Sequence, residues 1–294
     1  MKAKIDTSLV SRLVRDQFPH WAHQPVVAVP SAGTDHAIFR LGQDLAVRMP
    51  RLQRAADMAS KEQQWLPRLA PLLPLAIPVP LGLGVPDDRF PYPWTVCRWL
   101  AGQDLVQRPV ADLRDLALRL GRFIAALGHI DTAGAPVSVR AEPVSSHDDA
   151  DVRSTIRSLA NNGEVDANVA NAVWDAALAA PARTEPPRWS HGDLLPANLL
   201  ANHGRLTAVI DFGLMGLGDP AVDMLPAWAL LTTQTRDLFR SEAGIDDATW
   251  VRGRGWALSA GLGAVRVYRT TNKALALAGW RAITETIADY RDKS

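Results

Sequence analysis

The chain has 294 residues, 47% hydrophobic and 21% charged, the balance of an ordinary folded protein with room for one large domain or two lobes. A formal net charge of +1 offers no bulk attraction to nucleic acid, so no nucleic-acid partner is expected. The single cysteine, Cys97, excludes an intrachain disulfide and suits a reducing cytoplasm.

The first twenty residues carry Lys2, Lys4, Asp6, Arg12 and Arg15 without a long apolar run, so no signal peptide is expected. Thr7 is expected to cap a first helix that places Leu9, Val10, Leu13 and Val14 on one face. Residues 26–29 (VVAV) read as a short strand and 31–36 (SAGTDH) as a polar turn. Residues 38–41 and 45–50 (IFRL, LAVRMP) read as two strands around a turn at Gly42–Asp44. A helix is expected from Asp57 to Leu69. Residues 69–86 are uncharged for 18 residues, close to the length of a membrane span, but five prolines and two glycines make a poor helix. They read as buried extended segments and turns, so no membrane partner is expected. Residues 93–100 (PWTVCRWL) form a further strand.

After Gly102 the pattern becomes helical. Leu113, Leu116, Leu120, Phe123, Ile124 and Leu127 share a face over 112–127, and two more helices are expected at 148–160 and 166–179. Residues 181–188 read as a loop, and 198–211 as a hairpin turning at Asn202-His203-Gly204. The remainder reads as helix, with Gly253, Gly255, Gly261 and Gly263 allowing close helix contacts. The whole is an α+β chain: a small sheet lobe over 1–100, including a connecting strand, and a larger, mainly helical lobe over 101–294. Charge is uneven, with net +4 over 1–100, −6 over 101–223 and +3 over 224–294. The acidic middle fits a site for metal ions or cationic ligands, and equally a set of solvated helix faces.

The strongest motif lies in 189–223, WSHGDLLPANLLANHGRLTAVIDFGLMGLGDPAVD. Asp193 is followed five residues later by Asn198, and Asp211-Phe212-Gly213 closes an apolar strand. Protein kinases use this layout. An aspartate beside a hydroxyl orients it and accepts its proton, while an asparagine and a second aspartate supply hard oxygen ligands to Mg²⁺. An alternative reading makes His191, Asp193, His203, Asp211 and Asp219 a hydrolytic metal cluster, with water as nucleophile.

HGDLLPANLL and IDFGLMGLGDPAVDM resemble the signature stretches of the aminoglycoside phosphotransferase family, whose members share a bilobal, protein-kinase-like fold. The resemblance implies Asp193 as catalytic base, Asn198 and Asp211 as Mg²⁺ ligands, and His191 as a support for the catalytic loop. It implies a structural role for Asp219 and Asp223, and ATP or GTP as co-substrate. Leu45-Ala46-Val47-Arg48 matches the third-strand phosphate anchor with arginine in place of lysine, and Glu62 is its expected partner, although Lys61 and Arg68 also lie within reach of Glu62. Ser31, Gly33 and Thr34 are candidates for a phosphate loop. Arg98, Trp99 and Leu100 fall where the inter-lobe hinge would meet the base.

Only seven residues separate Asp211 from Asp219, so the activation segment that carries a peptide substrate is absent and a small hydroxyl acceptor is expected. The foremost expectation is an antibiotic of aminoglycoside type, with a role in resistance. Asp148, Asp149 and Asp151 are candidate contacts for such a polycation, or simply a helix N-terminal turn. The alternatives are a macrolide kinase, with Trp228, Trp250, Trp256 and Trp280 as apolar walls or as core, and a metabolic kinase acting on choline, homoserine or a sugar. A non-catalytic nucleotide-binding protein is a further alternative. The sequence sets no oligomeric state.

Overall fold

The structure, a computed structural model, describes residues 5–30, 35–142, 144 and 149–292. Ser31, Gly33, Thr34 and Asp148 lie outside the described residues. The chain divides into two units, Met1–Leu72 with Ala76–Ala101, and Leu73–Leu75 with Gly102–Ser294.

The first unit opens with α1 (Thr7–Gln17). Its cap is Asp6 and not Thr7: the Asp6 carboxylate accepts the Leu9 amide at 3.0 Å, and Thr7 is the first helical residue. Leu9, Val10, Leu13 and Val14 are buried. Strands β1 (Val26–Val29), β2 (His36–Leu41), β3 (Leu45–Pro50), β4 (Pro80–Gly84) and β5 (Trp94–Arg98) form an antiparallel sheet in the order β1-β2-β3-β5-β4. α2 (Gln53–Leu69) follows β3 and starts before the expected Asp57, because Ala55 and Ala56 already bury themselves in its first turn. Phe39, Val47, Met49, Phe90, Trp94 and Val96 pack with the apolar face of α1 into one core. The proline-rich stretch opens helically, with Leu69 ending α2 and a 3-10 turn over Ala70–Leu72, and from there is extended and turned, with Leu75 and Ile77 buried. It is not buried throughout, since Leu72, Leu81 and Val85 are exposed.

In the second unit β6 (Gln103–Asp104) joins β8 (Leu199–Asn202) and β9 (Arg205–Val209) in a three-stranded sheet. The β8–β9 hairpin turns through His203 at φ 49° and Gly204 at φ 76°, the doubly left-handed turn that matches strand twist. β7 (Arg188–Ser190) pairs with β10 (Gly216–Gly218), so Arg188 belongs to a strand and not to the expected loop. The helices are α3 (Leu113–Gly128), α4 (Asp149–Asn161), α5 (Ala167–Ala179), α6 (Pro226–Ala229), α7 (Thr233–Ala243), α8 (Asp247–Tyr268) and α9 (Lys273–Arg291). Asp112, Asp166, Asp246 and Asn272 cap α3, α5, α8 and α9 with their side chains.

Trp174, Ile156, Val173, Trp256, Leu258 and Ile283 lie in one core, drawn from α4, α5, α8 and α9. A Cβ on Gly261 would stand 2.8 Å from the Gly279 carbonyl oxygen, so α8 and α9 meet backbone to backbone there. Gly263 differs from its neighbours, with nothing within 4 Å of its Cβ direction. Among the described residues no helix is long and apolar enough to cross a membrane. A β-sheet unit with inserted helices followed by a mainly helical unit is the α+β, two-lobed, protein-kinase-like class.

Candidate active site

In the second unit the chain turns sharply as β7 ends. Gly192 makes the turn at φ 82°, where a Cβ would stand 3.0 Å from the Leu214 carbonyl oxygen. The His191 and Gly192 amides donate to the two oxygens of Asp223, at 2.7 and 2.8 Å. Asp223 is buried, and burial pushes its carboxyl up to about 6 against the pull of those two amides. One carboxylate thus fixes the path of the turn.

His191 is fully buried. Its Nε2 lies 3.1 Å from the Ile210 carbonyl oxygen and its Nδ1 3.1 Å from the Asp193 amide nitrogen. The carbonyl only accepts and the amide only donates, so the ring is neutral with its proton on Nε2. Burial drives its pKa from 6.5 down to about 3. The ring meets Phe212 edge to face, with centroids 4.5 Å apart. His191 therefore fastens the 191–193 turn to the strand end that leads into Asp211.

Asp193 is held at both carboxylate oxygens. Asn198, in the helical turn Pro196–Asn198, donates from Nδ2 to Asp193 Oδ2 at 3.1 Å and to the Asp193 carbonyl at 2.9 Å. Arg140 Nη1 donates to Oδ1 at 3.2 Å and to the Gly192 carbonyl at 2.8 Å. Burial raises the Asp193 pKa above its ordinary value; the Arg140 charge opposes this and Asp211 reinforces it. The side chain keeps 18% exposure, enough to meet a ligand.

Asp211 adopts φ 65° and ψ 67°, a left-handed conformation rare for a residue with a side chain. The Ile210 amide donates to the Asn198 carbonyl at 2.9 Å, which ties the two segments together. Phe212 is buried against His191 and Phe123. Asn198 spends its amide nitrogen on Asp193 and keeps Oδ1 as a neutral oxygen donor. That oxygen and the Asp211 carboxylate are hard oxygens of the kind that could hold Mg²⁺. Among the described residues no three His, Cys, Asp or Glu gather to hold a metal by themselves. The hydrolytic cluster is not assembled: His203 is exposed at the hairpin tip, His191 has both ring nitrogens engaged, and Asp219 is paired elsewhere. Asp219 accepts the Ala221 amide at 3.1 Å and grips Arg252 of α8 at 2.6 and 3.2 Å.

In the first unit Arg48 lies on β3 opposite Thr95 of β5, and its Nη1 pairs with Glu62 Oε2 of α2 at 2.5 Å. Arg68 lies over the Trp65 ring. Cys97 sits near this pair, and burial pushes its thiol up to about 11. Arg98 ends β5 and is exposed. The Trp99 amide donates to the Asp44 carbonyl at 2.7 Å, and the Arg40 guanidinium lies 4.6 Å over the Trp99 ring. That amide is spent within the unit; Leu100 follows it, half-buried.

The acceptor candidates are already engaged. Asp149 takes Arg153 at 2.8 Å and the Trp174 indole N–H at 2.7 Å, and Asp151 pairs with Arg266. Trp228, Trp250 and Trp256 are core residues, while Trp280 is half-buried beside Arg269. Arg140, absent from the sequence expectations, ends a four-residue apolar–polar alternation, Val137 to Arg140, too short to mark a strand and beside no catalytic motif.

A profile of the phosphotransferase enzyme family matches residues 26–256. No curated protein matches the chain in sequence. Among solved structures, the GDP and kanamycin complex of APH(2")-IIia is similar over 95% of this chain and 98% of its own, with 22% identity and a TM-score of 0.69. The GDP complex of wild-type aminoglycoside 2'-phosphotransferase-IIIa matches over 97% and 99%, with 21% identity and a TM-score of 0.70. Macrolide 2'-phosphotransferase MphH from Brachybacterium faecium matches over 95% and 97%, with 20% identity and a TM-score of 0.62. At such identities the likeness is one of fold, and the profile carries the relationship: the chain belongs to the phosphotransferase enzyme family.

Proposed function

We propose that this protein transfers the γ-phosphoryl group of ATP or GTP to a hydroxyl of a small molecule, with an aminoglycoside-type antibiotic as the first acceptor to test. The observation that carries the reading is the Asp193 carboxylate, held at both oxygens by Asn198 and Arg140 on a turn locked by Asp223 and His191. Asp193 orients the acceptor hydroxyl and takes its proton. The freed oxygen bonds to the γ-phosphorus, the bond from that phosphorus to the bridging oxygen breaks, and a nucleoside diphosphate leaves. Asn198 and Asp211 would hold Mg²⁺, which when bound supplies positive charge to the phosphate oxygens. Arg48, steadied by Glu62, anchors the α- and β-phosphates. Base contacts fall to main-chain groups flanking Trp99, whose own amide is committed to Asp44. Ser31, Gly33 and Thr34 are proposed to approach the phosphates, and the protein is proposed to act in the cytoplasm.

The GDP and kanamycin complex among its structural neighbours supports the aminoglycoside class. The pairing of Asp149 with Arg153 and of Asp151 with Arg266 favours a second reading, an acceptor with less positive charge such as a macrolide or a metabolite. Diphosphate release from MgATP and MgGTP with kanamycin, gentamicin, streptomycin, a macrolide, choline and homoserine separates the two. Stimulation by one acceptor, lost in Asp193→Ala while nucleotide binding persists, is the expected result. Equal release by wild type and Asp193→Ala would refute the assignment of the base.

A further inference from the structure

We propose that Arg140 is a positioning residue, which sets the orientation of the Asp193 carboxylate for proton abstraction; this rests on the reading of Asp193 as the base. The two donors to that carboxylate come from opposite directions in the chain. Asn198 lies five residues after Asp193 and takes Oδ2, while Arg140 lies 53 residues before it and takes Oδ1. A carboxylate held at one oxygen still turns about its last bond, and one held at both does not. Arg140 Nη1 also donates to the Gly192 carbonyl, so one nitrogen ties the side chain of the base to the backbone of its own turn.

The segment that delivers Arg140 is stitched onto β10. Leu217 donates its amide to the Pro136 carbonyl at 2.8 Å, and Ser138 returns its amide to the Leu217 carbonyl at 3.0 Å. Ser138 Oγ donates to the Leu214 carbonyl at 2.8 Å and accepts the Arg140 amide at 3.1 Å. Two glycines of β10 make room for this segment. A Cβ on Gly216 would stand 2.5 Å from the Ser138 nitrogen, and one on Gly218 would stand 2.9 Å from the Ala141 Cα. Along the segment Val137 and Val139 are 72% and 61% exposed, whereas Ser138 is buried and Arg140 half-buried. This alternation runs against the hydrophobic effect, since the polar residues point inward and the valines outward. Packing alone gives no reason for that choice; delivery of a guanidinium to Asp193 does.

The test compares wild type, Arg140→Ala, Arg140→Lys and Asp193→Ala in diphosphate release. It uses MgATP or MgGTP, with kanamycin, gentamicin, streptomycin, a macrolide and water alone as acceptors. Arg140→Ala is expected to lower kcat by about 10–100-fold, the scale set by loss of alignment of a reacting group, with the nucleotide KM within about two-fold of wild type. Arg140→Lys is expected to recover part of the loss, because an ammonium restores one donor but not the planar fork. Crystal structures of wild type and Arg140→Ala are expected to show the carboxylate turned in the variant. An unchanged kcat in Arg140→Ala, a rise in acceptor KM without a fall in kcat, or an unmoved carboxylate would each overturn the proposal. If wild type and Asp193→Ala release diphosphate equally with every acceptor, the reading of Asp193 fails and the proposal falls with it. If Asp193→Ala is inactive and Arg140→Ala is not, only the role of Arg140 fails.

Discussion

Replacing His191 by glutamine should flatten the dependence of stability on pH. The folded pKa of about 3 lies below the ordinary 6.5, so between these values the folded protein binds fewer protons here than the unfolded chain. Stability from this residue is complete above pH 6.5 and is lost progressively as pH falls toward 3. From pH 7 to pH 5 the loss integrates to about 2 kcal/mol, with the unfolded chain taking up about three-quarters of a proton while the buried ring takes almost none. Asp223 acts with the opposite sign. Its folded pKa of about 6 lies above the ordinary 3.8, so it favours folding increasingly as pH falls through 6. Wild type and variant share that term, and it cancels in their difference. Urea unfolding followed by tryptophan fluorescence at the two pH values gives the comparison. The variant should be less stable at pH 7, having lost the acceptor for the Asp193 amide, yet should lose about 2 kcal/mol less than wild type on acidification. Parallel pH dependences would refute a ring that stays neutral in the folded protein.

Arg252→Ala should destabilise the protein by about 3–5 kcal/mol in urea unfolding, because it leaves the buried Asp219 without its cation. A loss below about 1 kcal/mol would contradict the burial of that pair. Arg48→Ala should raise the nucleotide KM about 10–100-fold, the value of a charged hydrogen bond, in steady-state kinetics. A change confined to acceptor kinetics would remove Arg48 from the phosphates. Asp211→Ala should abolish the Mg²⁺ dependence of nucleotide binding measured by calorimetry, and an unaltered dependence would exclude it as a ligand.

What was legible in the sequence was what short range determines. The five-residue step from Asp193 to Asn198 is one turn of chain, so both residues arrive together and Asn198 reaches back to Asp193. Helices with side-chain caps, such as α3 at Asp112 and α5 at Asp166, begin within a residue of their expected starts. α2 was misjudged because Leu52, at its cap position, offers no side-chain acceptor to read. β6, β7 and β10 have two or three residues each, too few to show a period. Arg140 was invisible for a stronger reason. Its placement depends on Pro136 and Ser138 finding Leu217, a pairing across some eighty residues that no window reveals. The left-handed backbone of Asp211 has no local signature either, since it is imposed by the strand before it and the buried Phe212 after it.

That backbone sets two kinds of fitness against each other at one α-carbon. The left-handed conformation costs an L-residue about 1–2 kcal/mol that glycine does not incur, with aspartate at the lenient end. A variant library sorted for heat resistance should thus enrich glycine at position 211, whereas the Mg²⁺-holding role proposed for its carboxylate predicts that the same library sorted for phosphoryl transfer discards it. On that proposed role, directed evolution toward a hardier enzyme leaves this residue alone and finds its gains elsewhere.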